Sequence, residues 1–273
     1  MMNPIRTWIP MTKLTEIDMH PMLKLLANNK HRGRFQSEIT PGSSEATIYL
    51  YDMIVDSDIE AEYWGGVSPQ AFIKELNALK ASTIHLRVNS PGGSVFAARA
   101  MEQAIREHSA KIVAHIDGVA ASAASFLIMA ADHVEMAPGS FMMIHKAWTF
   151  AYGNSDDLLK TADMLDQIDG SLVSTYAAAT GQPEDSIKSW MSDETWFDAS
   201  EAVKLGFADS VFEQSAQNQS QSSATRAEWD LSAYAHAPTI PSNPAVKDPA
   251  PVAGPVVDRD ALARAAKVAI LSA

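Results

Sequence analysis

Thr83-Ile84-His85-Leu86-Arg87-Val88 runs straight into Asn89-Ser90-Pro91-Gly92-Gly93-Ser94, a β-prone stretch that ends at a Pro/Gly turn. The pattern then changes period. Ser94 to His108 reads as a helix, Lys111 to Ile116 as a second strand, and Ala121 to Ala131 as a second, Ala-rich helix after the breaker Asp117-Gly118. His133 to Met136 and Phe141 to Ile144 follow as short strands. Upstream, Ala46 to Tyr51 reads as a strand and Ser68 to Ala81 as a helix with Phe72, Leu76 and Leu79 at helical spacing. Strands alternating with helices imply right-handed crossovers and a mostly parallel α/β sheet, whose functional groups gather at the carboxyl ends of the strands.

Beyond that core, Asp156 to Thr180 reads as a long helix closed by Gly181, Ser200 to Gly206 as a short helix with its own glycine stop, and Ala208 to Phe212 as a last strand. Residues 1–45 carry mixed signals, including the apolar piece Met22 to Leu26 and the basic cluster Lys30, His31, Arg32 and Arg34. They are expected to form an N-terminal extension with little order of its own. The core domain is expected over residues 46–213. Residues 214–258 read as a linker, because Gln214 to Ser223 is nearly all polar and six of the 14 prolines lie between Pro238 and Pro255. Residues 259–273 could close the chain as a short amphipathic helix for a scaffold or partner contact.

A net charge of -12 argues against nucleic-acid and anionic-membrane binding, and no apolar run approaches a membrane span. The absence of cysteine excludes disulfides, thiolate nucleophiles and Cys-ligated metals. The expectation is therefore a soluble, cytoplasmic protein. No two histidines have the spacing of a metal-binding helix, so no metal and no cofactor is expected.

The chemistry centres on Gly118-Val119-Ala120-Ala121-Ser122-Ala123, a serine among small residues where a strand gives way to a helix. Backbone N–H groups at a helix start favour developing negative charge, and small neighbours let a substrate backbone approach. Serine is also a common helix cap, so Ser122 needs companions before it reads as a nucleophile. Gly92-Gly93 supplies a turn able to present N–H donors to an oxyanion. His145, at the end of the apolar strand Phe141-Met142-Met143-Ile144, is a candidate base, since the ordinary imidazole pKa lies near neutrality. Asp193-Glu194 offers a carboxylate, although position alone does not single it out.

Four motifs in this order, Val88-Asn89-Ser90-Pro91-Gly92-Gly93, Gly118-Val119-Ala120-Ala121-Ser122, Met143-Ile144-His145, and Ser200-Glu201-Ala202-Val203-Lys204-Leu205-Gly206-Phe207-Ala208-Asp209, resemble the ClpP family of serine peptidases. The resemblance spans about Ile48 to Phe212. It implies a ClpP/crotonase-like βαβ spiral core with a helical handle, here with extended N- and C-terminal segments. It implies Ser122 as nucleophile, His145 as base, and the N–H groups of Gly93 and Ala123 as the oxyanion hole. The orienting acid of the family falls at Glu194, where the family has Asp; Asp193 is the alternative. Lys146 and the two extensions also depart from the compact bacterial members. These departures resemble the ClpP-related head-maturation proteases of phages and prophages. That implies a serine endopeptidase cleaving capsid or scaffold proteins, assembled as a ring-shaped homo-oligomer. Two alternatives remain: a general Clp-type proteolytic subunit working with an AAA+ ATPase, and a non-catalytic scaffold on a protease-like core.

Overall fold

The computed structural model describes residues 20–39, 42–212 and 229–238. The described residues belong to one compact unit, and residues 239–273, with the expected terminal helix, lie outside the described residues. Strands β2 (Glu45–Tyr51), β3 (Thr83–Ser90), β4 (Lys111–Ala121), β5 (His133–Met136) and β8 (Ser210–Val211) are neighbours in one sheet, joined in parallel. Helices α3 (Pro69–Ala78) and α4 (Val95–Glu107) make the crossovers between β2, β3 and β4. The apolar alternation of the strands turns Ile48, Leu50, Ile84, Leu86, Val88, Ile112, Ala114 and Ile116 into one core with Phe72 and Leu76 of α3 and Ala98, Met101 and Ile105 of α4. Burying side chains of this size contributes roughly 1.5–3 kcal/mol each, which is why the α/β alternation sets the fold.

Three departures from the sequence reading matter for the site. The first is β4, which does not stop at Asp117-Gly118 but runs on to Ala121. Arg87 and Tyr51 hydrogen-bond the Asp117 carboxylate, and Gly118 lies against Asn89, where a Cβ would stand 2.7 Å from Oδ1. Residues that read as a turn are thus absorbed into a register shift between β3 and β4. The helix after them is correspondingly short, α5 (Ala123–Leu127) with a 3-10 turn over Ile128–Ala130.

The second departure is a fork. The first part of β4 pairs with β5 through Val113 to Ile116, and its last part pairs with β6 (Phe141–Ile144) through Val119 to Ala121. On its other edge β6 pairs antiparallel with β7 (Thr195–Asp198).

The third lies in the extensions. Residues expected to carry little order include helix α1 (Pro21–Asn28) and strand β1 (Arg34–Ile39), which pairs antiparallel with β2. The basic cluster there packs on aromatic rings: Lys30 Nζ stands 4.0 Å from the Tyr63 ring centroid and Arg34 packs over Tyr49 and Tyr51. Within the expected linker, Trp229, Leu231 and Tyr234 are buried in a second apolar cluster with Leu25, Met53, Val119, Ala121 and Met143. Trp and Tyr each bury a large apolar area, so even a short segment can be held this way.

The remaining helices are α2 (Asp58–Trp64), α6 (Ser155–Thr180), α7 (Glu184–Ser192) and α8 (Ala199–Leu205). The C-terminal half of α6 is buried through Leu172, Val173 and Tyr176, whereas Leu158, Leu159 and Met164 in its N-terminal half are exposed. Among the described residues, no helix is long and apolar enough to cross a membrane.

Candidate active site

The fork in β4 sets the geometry. Ala121 pairs with Met143 in parallel register, so the residues that leave the carboxyl ends of β4 and β6 emerge side by side. Ser122 N–H donates to Met143 O at 2.9 Å, and Ser122 Oγ lies 2.7 Å from His145 Nε2. His145 is buried, and burial pushes its imidazole down to about 4 from the ordinary 6.5. It is therefore neutral at pH 7, with Nε2 free to accept a proton.

Ser122 has φ 54 and ψ −122 and makes no side-chain cap bond to α5, so it is not the helix cap its position first suggests. A non-glycine residue at such angles is strained, and the strain directs its hydroxyl toward His145 instead of back along its own helix. Ser125, one turn on, donates its hydroxyl to Ser122 O and contacts Tyr176, which makes it a packing residue.

The Pro91-Gly92-Gly93 turn is held against Ile54 by two backbone bonds, Ile54 N–H to Gly92 O and Ser94 N–H to Ile54 O, each 2.9 Å. A Cβ on Gly92 would lie 2.5 Å from Ala121 O and 2.8 Å from Ser122 Cβ; one on Gly93 would lie 1.9 Å from Ile54 O. Only glycine permits this approach. The N–H groups of Gly93 and Ala123 take no part in the turn and ladder hydrogen bonds among the described residues, and both residues line the cavity shared by Ser122 and His145. That cavity measures about 370 Å³ and is walled by Phe126, Trp148, Leu165 and Ile168, with Met22 and Leu23 of α1 closing one side. The α1 wall had no signal beyond a short apolar run.

The carboxylates are placed differently. Asp193 caps α7, and its carboxylate accepts a long bond, 3.5 Å, from Ser189 Oγ. Glu194, at φ 48, accepts from Ala235 N–H at 2.9 Å, His236 N–H at 2.6 Å and Trp196 Nε1 at 3.4 Å. Neither carboxylate bonds His145, whose hydrogen-bond partner among the described residues is Ser122. The ring is packed instead by Trp148 and Tyr234, with centroids 4.4 and 5.5 Å away. Asp169, absent from the sequence reading, accepts from Ala147 N–H at 2.8 Å and so tethers the segment after His145; burial pushes its carboxyl up.

Among the described residues no group of His, Asp and Glu could hold a metal ion. The other strand histidines form a ladder on the sheet face, His85 Nδ1 to His115 Nε2 at 2.9 Å and His115 Nδ1 to Glu135 at 3.2 Å, away from the serine.

A serine hydroxyl hydrogen-bonded to a buried imidazole, beside two glycines at a helix start, is an arrangement suited to serine hydrolase chemistry. The model of the Clp protease family matches residues 44–215. The chain belongs to that family. It is 32% identical over 137 residues to an ATP-dependent Clp protease proteolytic subunit of Deinococcus radiodurans, covering 50% of this chain and 67% of that one. Subunits bearing the same name from Pleurastrum terricola and Mycobacterium leprae are 32% and 30% identical, with 64% and 65% of their lengths covered. The chain thus spans about two thirds of the Clp protease relatives it matches, and Ser122, His145 and Glu194 all fall inside the family match.

Proposed function

We propose that this Clp protease family member hydrolyses peptide bonds with Ser122 as nucleophile and His145 as general base. The observation that carries the reading is the 2.7 Å contact between Ser122 Oγ and the neutral, buried His145 Nε2. In the first half of the reaction His145 takes the hydroxyl proton as Oγ adds to the scissile carbonyl carbon. The oxyanion is received by the Gly93 and Ala123 N–H groups, and the proton passes from His145 to the leaving amine. Water, deprotonated by the same imidazole, then cleaves the acyl-Ser122 ester and restores the hydroxyl. Glu194 is the family-position acid that would orient the imidazolium.

The reading is tested by fluorophosphonate labelling. Labelling at Ser122, absent in Ser122→Ala, supports it, and no labelling of either the wild type or the Trp229→Ala/Leu231→Ala chain sinks it.

As to biological role, the named relatives favour the Clp-type proteolytic subunit over the head-maturation protease as the nearer comparison. The exposed apolar half of α6, with Leu158 and Leu159, suits a handle between rings. The head-maturation reading rests on the two extensions that pack on the core at 20–39 and 229–238. Co-purification with an AAA+ unfoldase supports the first role; cleavage of co-expressed coat or scaffold protein by the wild type but not by His145→Ala supports the second.

A further inference from the structure

The segment 229–238 is bound like a ligand. Trp229 Nε1 donates to Asn89 O at 3.1 Å, Asp230 exchanges two backbone bonds with the Asn29 side chain, and Ser232 O accepts from Lys24 Nζ at 2.6 Å. Leu231 and Tyr234 sink into the apolar groove formed by Leu25, Met53, Val119 and Met143. The groove therefore accepts a peptide of pattern Trp-x-Leu-x-x-Tyr, and this chain's own residues occupy it.

What the segment does at its far end is more informative. The Tyr234 hydroxyl donates to Pro91 O at 2.5 Å, inside the turn that carries Gly92 and Gly93. Its ring stands edge-on to His145 and to Trp196, between the base and the strand that follows Glu194. The next two N–H groups, Ala235 and His236, then take both oxygens of the Glu194 carboxylate. Two donors on a carboxylate from one peptide segment form a charge-assisted pair. His236 adds a bond between Nδ1 and Asp193 O at 2.8 Å.

We infer that residues 229–238 form a cis-acting strap that engages the Glu194 carboxylate and inserts Tyr234 beside His145, holding acid and base apart, so that release of the strap is what completes the triad. The inference rests on the peptidase reading of Ser122 and His145 and adds a regulated step to it. With the strap seated, no carboxylate among the described residues bonds the imidazole to stabilise its charged form, in keeping with a shift caused by burial. With the strap gone, Glu194 loses its two amide donors and the side chain between it and His145.

The test loosens and locks the strap in the full-length chain. Trp229→Ala/Leu231→Ala removes two anchors and no residue that contacts Ser122 or His145. The lock is Lys24→Cys/Ser232→Cys closed by a short bismaleimide, in a chain that has no other cysteine. Two properties are read: the titration midpoint of His145 by NMR, and the rate of fluorophosphonate labelling. Loosening is expected to raise the midpoint by about two pH units as a carboxylate reaches the ring, and to speed labelling by about tenfold or more. Adding Glu194→Gln to the loosened chain should bring the midpoint back down. A raised midpoint without labelling in any form upholds the strap and refutes the peptidase reading. Equal labelling and an unmoved midpoint refute the strap and leave the peptidase reading intact. Should the loosened chain fail to fold, the locked protein decides: closure of the cross-link must slow labelling relative to the same protein left open, and an unchanged rate overturns the inference.

Discussion

The His145 imidazole separates two regions built by different means. Toward Ser122 the site is made of backbone: parallel register between β4 and β6, a strained residue at the strand end, and two glycines pressed against it. Toward Glu194 it is made of side chains and of a segment far along the chain, Trp229 to His236, that reaches in across the groove. A backbone-built half can move only if the sheet moves. The other half is held by a few hydrogen bonds and three apolar side chains, so it can open while the fold stands. The nucleophile side is thus fixed and the acid side adjustable.

Breaking the fixed half should give the largest effects. Ser122→Ala is expected to abolish labelling and to lower any peptide hydrolysis by about a thousandfold or more, because triad members act as a unit. Gly92→Ala places a Cβ 2.5 Å from Ala121 O at φ 90. It should cost about 2–3 kcal/mol in a denaturant titration, and a loss below about 0.5 kcal/mol would show that the turn is not pinned as described.

Acid should expose a contrast between two histidines. His145 and His115 are both pushed down to about 4 by burial, but His115 also has Arg87, His85 and His133 opposing its charge, against Asp117 and the Glu135 carboxylate 3.2 Å from its Nδ1. An unfolded chain takes up both protons near pH 6.5, while the fold resists until about 4. Their contribution to stability is therefore complete above pH 6.5 and is lost on acidification toward 4, at up to about 1.4 kcal/mol per pH unit for each group. Asp52, pushed up to about 6 by burial, acts with the opposite sign: its contribution is present at low pH and fades as pH rises through 6. Urea midpoints measured from pH 4 to 7 should fall less steeply on acidification in His115→Gln, and more steeply in Asp52→Asn.

Smaller effects sharpen each side. Ser122→Gly should be more stable than Ser122→Ala by about 1 kcal/mol, since glycine alone adopts φ 54, ψ −122 freely; equal stability would mean that the strand end carries no strain. Trp196→Phe, which removes the long 3.4 Å bond to Glu194, should change thermal stability by less than about 0.5 kcal/mol.

Legibility in the sequence follows the same division. Ser122, His145 and the paired glycines could be read because each sits at the end of an apolar strand, where a two-residue period gives way to a turn. The Glu194 position was legible through motif order alone, and its partner was not. Three apolar anchors, Trp229, Leu231 and Tyr234, are too few to make a period, and they stand between a polar tract and a proline-rich one, so the composition around them dominates. α1 escaped notice for a related reason, being only 8 residues long with a single fully buried side chain, Leu25. The Asp117-Gly118 pair misled in the other direction. Its turn chemistry is real, but Arg87 pairs with the aspartate and Tyr51 hydrogen-bonds it inside a strand, a tertiary effect that local propensity does not contain.

The bond from Asn29 to Asp230 joins residues 201 positions apart. A contact of that span is among the last to close, because its loop entropy is offset only after the intervening core has formed. During synthesis, the strand ends that carry Ser122 and His145 are complete before Asp230 has left the ribosome. A newly made chain accordingly passes through an interval with Ser122 and His145 already synthesised and its strap not yet available, an interval that lasts at least as long as translation takes to reach Asp230.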